Sequence, residues 1–225
     1  MVLPGPWPRP DPAARYVPPP PDDRLRAGLD AWEEWTANSA GLPAPLRVAM
    51  AHYQFEALHP FGDGNGRVGR LAAVLQLLQD GTIDHPALTV SHWFSRRRHQ
   101  YQEGLFNLSA TGDWNPWVSF FCQALCEQSQ RSVRASQALL EWLTDIRAML
   151  SERHYSGVIQ TLAQDLIEWP VITLMFTAKK YEVSVPTAKS AIDRLVALGV
   201  IQEMTGRSYK RVFGARRVME IVEAM

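Results

Sequence analysis

The chain has 225 residues, 46% of them hydrophobic and 20% charged, which excludes a disordered or fibrous chain and a small scaffold held by disulfides. Twenty-three Lys and Arg balance 23 Asp and Glu, so no overall field draws nucleic acid or an anionic membrane, and any such partner needs a local patch. No apolar run of about eighteen residues and no charged start leading into an apolar stretch occurs, which predicts a cytoplasmic chain without a membrane span. Residues 1–21 hold nine prolines, four of them consecutive, and this stretch reads as an extended arm. Helical spacing of Leu25, Leu29, Trp32 and Trp35 predicts an amphipathic helix over 23–36, and the run LRVAMAHYQFEAL predicts a second over 46–58, with Pro45 at its start. After HPFGDGNG, the run RVGRLAAVLQLL at 67–78 is apolar on nearly every side and predicts a central, buried helix stopped by Gly81. Further helices are expected at 91–110, 114–130 and 132–150, and Cys122 and Cys126 read as a reduced, buried pair.

The expected fold class is therefore mainly α: the proline-rich arm over 1–21, a helical bundle over 22–150 and a smaller domain over 151–225. Charge supports the division, since all four lysines fall in the last 75 residues. The loop at 59–66 sits between two core helices, and a loop so placed needs a reason. Gly64 and Gly66 flank Asn65 just before a helix, so backbone N–H groups and the positive end of the helix dipole converge on an anion site. Arg67 and Arg70 lie three apart on one helical face and add cationic partners for a polyphosphate. Asp63 is a hard oxygen ligand suited to Mg²⁺ shared with substrate phosphates, and His59, where the preceding helix ends, can accept a proton near neutral pH. Singly, each has an ordinary structural explanation: a helix-end cap, a turn, a solvated face. Their concentration in twelve residues of otherwise apolar sequence points to a site.

The segment HPFGDGNGRVGR resembles the full signature of the Fic domain, HxFx(D/E)GNGRxxR, with every specified position matched. ARYVPPPP at 14–21, LPAPLRVAMAHYQFEALHPF at 42–61, and HWFSRRRHQYQEGL with TGDWNPWVSFF within 92–121 resemble the flanks of that family. The resemblance implies a protein adenylyltransferase that moves AMP from ATP, with Mg²⁺, to a Ser, Thr or Tyr hydroxyl of a target protein. It makes His59 the base, Asp63 the Mg²⁺ ligand, and Phe61 the anchor of the loop in the core. Gly64, Asn65 and Gly66 would bind phosphates, Arg67 would neutralise charge there, and Arg70 would reach the γ-phosphate. Kinase-like relatives place Lys where this chain has Gly66, so the resemblance favours nucleotidyl transfer over phosphorylation.

Relatives often carry an inhibitory helix with the motif (S/T)xxxE(G/N). Here the nearest match, Glu103 and Gly104, has His99 four positions before the Glu. Too few residues precede Arg15 for that helix and the first strand of the target-docking flap, so the expectation is a chain short at its N-terminus, with any inhibitor supplied in trans. A nucleotide-sensing transcriptional regulator and an ATP-binding remnant without transfer activity are the alternatives.

The last quarter resembles a winged helix-turn-helix. Leu162, Leu166 and Ile167 mark one helix and Ile172, Leu174 and Met175 a second. The third spans 185–198, with Ser184 as cap, Pro186 in its first turn and Gly199 as its stop. Two wing strands turning at Gly206 follow. Against DNA, Thr187, Lys189 and Arg194 would face the groove, and Arg207, Lys210 and Arg211 the phosphates. Ten basic against eight acidic residues over 151–225 is a weak charge for that role, so a protein-contact or homodimerisation module stands beside DNA binding.

Overall fold

A computed structural model describes residues 16–207 and 209–224. Of the proline-rich arm, residues 1–15 lie outside the described residues, while 16–20 form no regular element. The structure is mostly helical and divides into two compact units, residues 1–130 and 131–225. The boundary was expected at 150. The two helices anticipated at 114–130 and 132–150 are one, α6, Trp114–Glu152, which runs through the division between residues 130 and 131. Neither Gly nor Pro interrupts that sequence after Pro116, so nothing between Gln130 and Arg131 breaks the backbone hydrogen bonds.

The first unit contains α1 (Asp23–Asn38), α2 (Ala44–Leu58), α3 (Asn65–Gln79), α4 (Ser91–Arg96), α5 (Arg98–Thr111) and the start of α6. Asp22 caps α1 by accepting the Arg24 N–H at 2.9 Å. Trp93, Trp117, Phe121, Phe94 and Leu77 fill the core with Val48 and Ala49 of α2. Buried indoles need acceptors, and two find them on α2: Trp117 Nε1 donates to the Ala49 carbonyl and Trp32 Nε1 to that of Ala51, each at 2.8 Å. The 91–110 segment is broken at Arg97, whose guanidinium lies 4.0 Å from the centre of the Trp93 ring and 3.4 Å from Glu127.

The expectation for α3 is corrected. Its buried residues are Asn65, Gly69, Ala73 and Leu77, a stripe at four-residue spacing, while Val68, Leu71 and Leu75 are exposed. Small side chains on the inner stripe let α3 lie close against α2. The far ends of this pair are joined by an ion pair between Arg47, which is buried, and Asp80. Cys122 and Cys126 are free thiols, but Cys126 is exposed and Cys122 only half-buried, so the buried pair is corrected as well.

The second unit contains the rest of α6, then α7 (Val158–Asp165), β1 (Val171–Thr173), α8 (Leu174–Lys180), α9 (Val185–Ala197), β2 (Gln202–Glu203), β3 (Val212–Gly214) and α10 (Arg216–Glu223). Its antiparallel sheet has the order β1-β3-β2, with Ile172 opposite Phe213. Ile172, assigned from spacing to a helix, is in a strand. Pro170 precedes that strand, and Thr173 ends it by accepting the Phe176 N–H at 3.2 Å, the N-cap of α8. Ile172 then packs with Ile192, Leu195, Leu162, Leu166 and Phe213. Ser184 caps α9 and Gly199, at φ +72°, follows it, as the sequence indicates. The two wing strands are shorter than anticipated.

Asp80→Ala leaves the Arg47 guanidinium buried without its counter-charge, and should lower the unfolding free energy of the first unit by about 3 kcal/mol in denaturant titrations followed by tryptophan fluorescence. Pairing it with Arg47→Met should recover part of that loss.

Candidate functional site

The end of α2 delivers His59. Its backbone N–H still bonds to the Phe55 carbonyl at 3.0 Å, but the residue itself is left-handed, with φ 46° and ψ 55°, so the chain turns off the helix axis there. Pro60 then prevents the helix from resuming. The imidazole Nδ1 lies 3.3 Å from the Glu56 carbonyl oxygen. A proton on Nδ1 is held by that carbonyl, which leaves Nε2 with its lone pair available.

Asn65 sets the shape of the loop. Its side chain, 2% exposed, accepts the Phe61 N–H at 2.9 Å through Oδ1 and donates to the Phe61 carbonyl at 2.6 Å through Nδ2. The amide thus replaces a backbone partner for both groups of one peptide residue. Sequence reasoning assigned Asn65 to phosphate and Phe61 to the core. Instead the Phe61 ring is 46% exposed, 6.3 Å from that of Phe55, and it is the Phe61 backbone that is anchored. Gly64, at φ +89°, is the N-cap of α3, and Val68 N–H makes the first helical bond, to its carbonyl. The N–H groups of Asn65, Gly66 and Arg67 therefore have no partner within the helix.

Asp63 and Arg67 are both exposed and form an ion pair at 2.8 Å, so the expected metal ligand and one expected phosphate partner meet each other. Arg70 turns inward, and its Nε donates to Ser91 Oγ of α4 at 3.0 Å. Among the described residues no cluster of three His, Cys, Asp or Glu side chains could enclose a metal ion. An open carboxylate beside a helix N-terminus with unpartnered N–H groups fits Mg²⁺ instead, since that ion keeps waters and shares its ligands with phosphates.

Behind the loop is a polar cluster that motif reasoning missed. His52, fully enclosed on α2, lies between the rings of Phe94, Trp117 and Phe121, and its Nε2 is 2.8 Å from the Tyr101 hydroxyl of α5. Tyr101 also faces the Glu56 carboxyl, whose Oε1 lies 3.8 Å from His52 Nε2. His52 Nε2–H can donate to the Tyr101 oxygen. Burial pushes the His52 pKa down to about 4, keeping the ring neutral, and pushes Tyr101 well above its ordinary value. Burial also raises Glu56, opposed by His59, the Tyr101 hydrogen bond and Arg70. The available signal was a pair of ionisable residues, His52 and Glu56, four apart in an otherwise apolar helical run. A cavity of about 380 Å³ opens beside His59, lined by Tyr16, Tyr53, Tyr101, Leu105 and Phe106.

In the second unit, Lys189 is bonded to Asp193 at 2.5 Å, and the Arg194 guanidinium lies 5.2 Å from the centre of the Tyr155 ring. Thr187 pairs with the capping Ser184 hydroxyl at 2.8 Å. Each residue assigned to a DNA groove thus has an intramolecular partner.

The loop, with its base, open carboxylate, two arginines and helix N-terminus, lies in the stretch covered by a family match: residues 4–77 fit the model of the Fic/DOC family. Over that stretch the chain is similar to the Fic/DOC family. Relatives include the protein adenylyltransferase Fic of Culex quinquefasciatus, 36% identical over 107 residues, 47% of this chain and 20% of that protein. The protein adenylyltransferase Fic of Nematostella vectensis is 33% identical over 107 residues, 47% of this chain and 23% of that one. The chain thus spans about a fifth of the length of the curated relatives it matches. The crystal structure of a Fic family protein from Desulfovibrio desulfuricans G20 aligns at 22% identity and TM-score 0.47, covering 88% of this chain and 56% of that one.

Two outcomes check the buried side of the first unit. A Cβ added at Gly69 would lie 3.0 Å from Glu56 Oε1, 3.1 Å from the Phe55 ring and 3.2 Å from the His52 ring, so Gly69→Ala should destabilise the first unit by about 1–3 kcal/mol in thermal melts. Folded His52 stays neutral down to about pH 4, whereas the unfolded chain takes up that proton near pH 6.5. Its stabilisation is therefore complete above pH 6.5 and falls by roughly 3 kcal/mol toward pH 4, while the raised Glu56 acts in the opposite direction. Denaturant midpoints measured from pH 7 to 4 should show that loss reduced in His52→Gln.

Proposed function

We propose that the chain is a protein adenylyltransferase, transferring AMP from ATP to a hydroxyl side chain of a target protein. The observation that carries this reading is His59: left-handed at the end of α2, with Nδ1 turned to a carbonyl, beside the unpaired N–H groups that open α3. The adenylyltransferase names of the relatives agree with it.

In this reading His59 Nε2 takes the proton as the target's hydroxyl oxygen attacks the α-phosphorus. A new P–O bond forms, and the bond from that phosphorus to the bridging oxygen of pyrophosphate breaks. The N–H groups of Asn65, Gly66 and Arg67 bind phosphate oxygens, and charge accumulating there is met by the helix dipole, Arg67 and Arg70. Arg70, held at its Nε by Ser91, serves the terminal phosphate. Asp63 would hold Mg²⁺, exchanging its ion pair with Arg67 for the cation and freeing Arg67 for phosphate. The ion, when bound, neutralises phosphate charge and the departing pyrophosphate. Gly66 leaves the surface over the first turn open where a lysine would reach the phosphates, which supports transfer of the nucleotidyl group over transfer of the γ-phosphate.

The second unit fits a winged-helix module whose role is protein contact. The intramolecular pairing of Lys189 and Arg194 supports that reading over DNA binding. Free thiols and ATP as co-substrate suit a cytoplasmic setting, and among the described residues no helix is long and apolar enough to cross a membrane.

Incubation with α-labelled ATP and Mg²⁺, alone and with cell lysate, should label protein, and His59→Ala should reduce the rate at least about a hundredfold. Label that persists in His59→Ala, or its appearance only from γ-labelled ATP, would overturn the assignment.

A further inference from the structure

The Glu56 carboxyl is used by none of these steps, yet its position is unusual. Its side chain is 8% exposed, and Oε1 has no hydrogen-bond partner. Buried polar atoms are rarely left so, and an unpaired one calls for an explanation. That oxygen lies over the first turns of α3: a Cβ on Gly66 would be 3.6 Å from it and one on Gly69 3.0 Å. The same Cβ on Gly66 would be 2.9 Å from Arg70 Nη1. Carboxylate and guanidinium therefore approach α3 over one glycine, and the absence of a side chain at Gly66 leaves room for both.

The remaining restraints are arranged around these two groups. Arg70 is held at Nε by Ser91 of α4 at 3.0 Å. Glu56 faces the Tyr101 hydroxyl of α5, which lies 2.8 Å from the Nε2 of neutral His52. The groups facing Glu56 are His52 and His59 from α2, Arg70 from α3 and Tyr101 from α5. Arg70 and His59 are cationic or can become so, and both oppose the upward pull of burial on Glu56. An arginine has donors on several edges, and a hydroxyl at Nε fixes only one of them. Its terminal nitrogens take a defined direction only if a second group of opposite charge sets it.

We propose that Glu56 is a positioning residue for Arg70: from its buried seat between α2, α3 and α5 it aims the guanidinium at the terminal phosphate of the nucleotide, with Ser91 as the second restraint. This rests on the nucleotidyl-transfer reading. Glu56 touches no reacting atom, and its effect appears only in ligands long enough to reach Arg70.

Calorimetric titration of the full chain with Mg-ATP and Mg-ADP tests it in wild type, Glu56→Gln, Arg70→Ala and the double variant. Gln keeps the shape and loses the charge. Glu56→Gln should weaken ATP about tenfold and leave ADP within about twofold, as Arg70→Ala does, and the double variant should bind ATP no worse than Arg70→Ala alone. Ser91→Ala should give the same selective loss, which keeps the test valid if thermal melts show Glu56→Gln misfolded. Additive losses, equal losses for ATP and ADP, or tighter ATP in Glu56→Gln would overturn the proposal, the last because it would mean that the carboxylate competes with phosphate for Arg70. If wild type binds both nucleotides and the cycle is additive, this inference alone falls. If wild type binds neither, the nucleotidyl-transfer reading falls with it.

Discussion

Two hydrogen bonds from one buried amide hold the site together. Asn65 satisfies the N–H and the carbonyl of Phe61 at the same time, so the stretch between α2 and α3 closes on itself without a backbone ladder. Because Asn65 is also the first residue of α3, closing the loop and starting the helix are one event. The loop needs this support. It sits next to a helix packed against the core, where unsatisfied backbone groups would be costly, and Gly62 and Gly64 supply no side chains to stabilise it. An ionised carboxylate lacks a donor, and a hydroxyl carries donor and acceptor on one atom, so neither replaces the amide.

The same economy governs the α2–α3 pair. Gly69 and Ala73 admit the backbone of α3 to within contact of Phe55 and His52, and the Arg47–Asp80 ion pair closes the opposite end. The polar cluster of His52, Tyr101 and Glu56 occupies the space so created. It is largely apolar in its surroundings, so its members are kept neutral or paired, and the positions of their protons follow from the packing. The candidate base at the loop is different: His59 is open to a cavity on one side and tied to a carbonyl on the other.

Much of the helical architecture was legible in the sequence, because periodicity reports which face of a segment is buried. The caps at Asp22 and Ser184 and the glycine stop at Gly199 follow from local chemistry. Errors arose where tertiary context decides. Ile172 has helical spacing to Leu174 and Met175, but Thr173 caps the next helix and sends Ile172 into a strand. The apolar run of α3 suggested burial all round, whereas the buried stripe is its small residues and Leu71 and Leu75 face outward. In the site, the motif located the loop but not the division of labour within it. Phe61 looked like the anchor because it is large and apolar, while the anchoring is done through its backbone. Glu56 and Tyr101 are 45 positions apart in sequence, and only the packing of α5 against α2 brings them together.

His59 occupies a backbone region that most L-residues avoid, at a cost of roughly 1 kcal/mol relative to glycine. Selection for thermal stability alone would drift this position toward glycine or asparagine, and would do so without disturbing the core. Retaining an imidazole there is a standing load on the fold, borne by the Asn65 clamp and the Pro60 stop. Stability screens of the first unit would therefore rank as improvements the very substitutions that remove the proposed base.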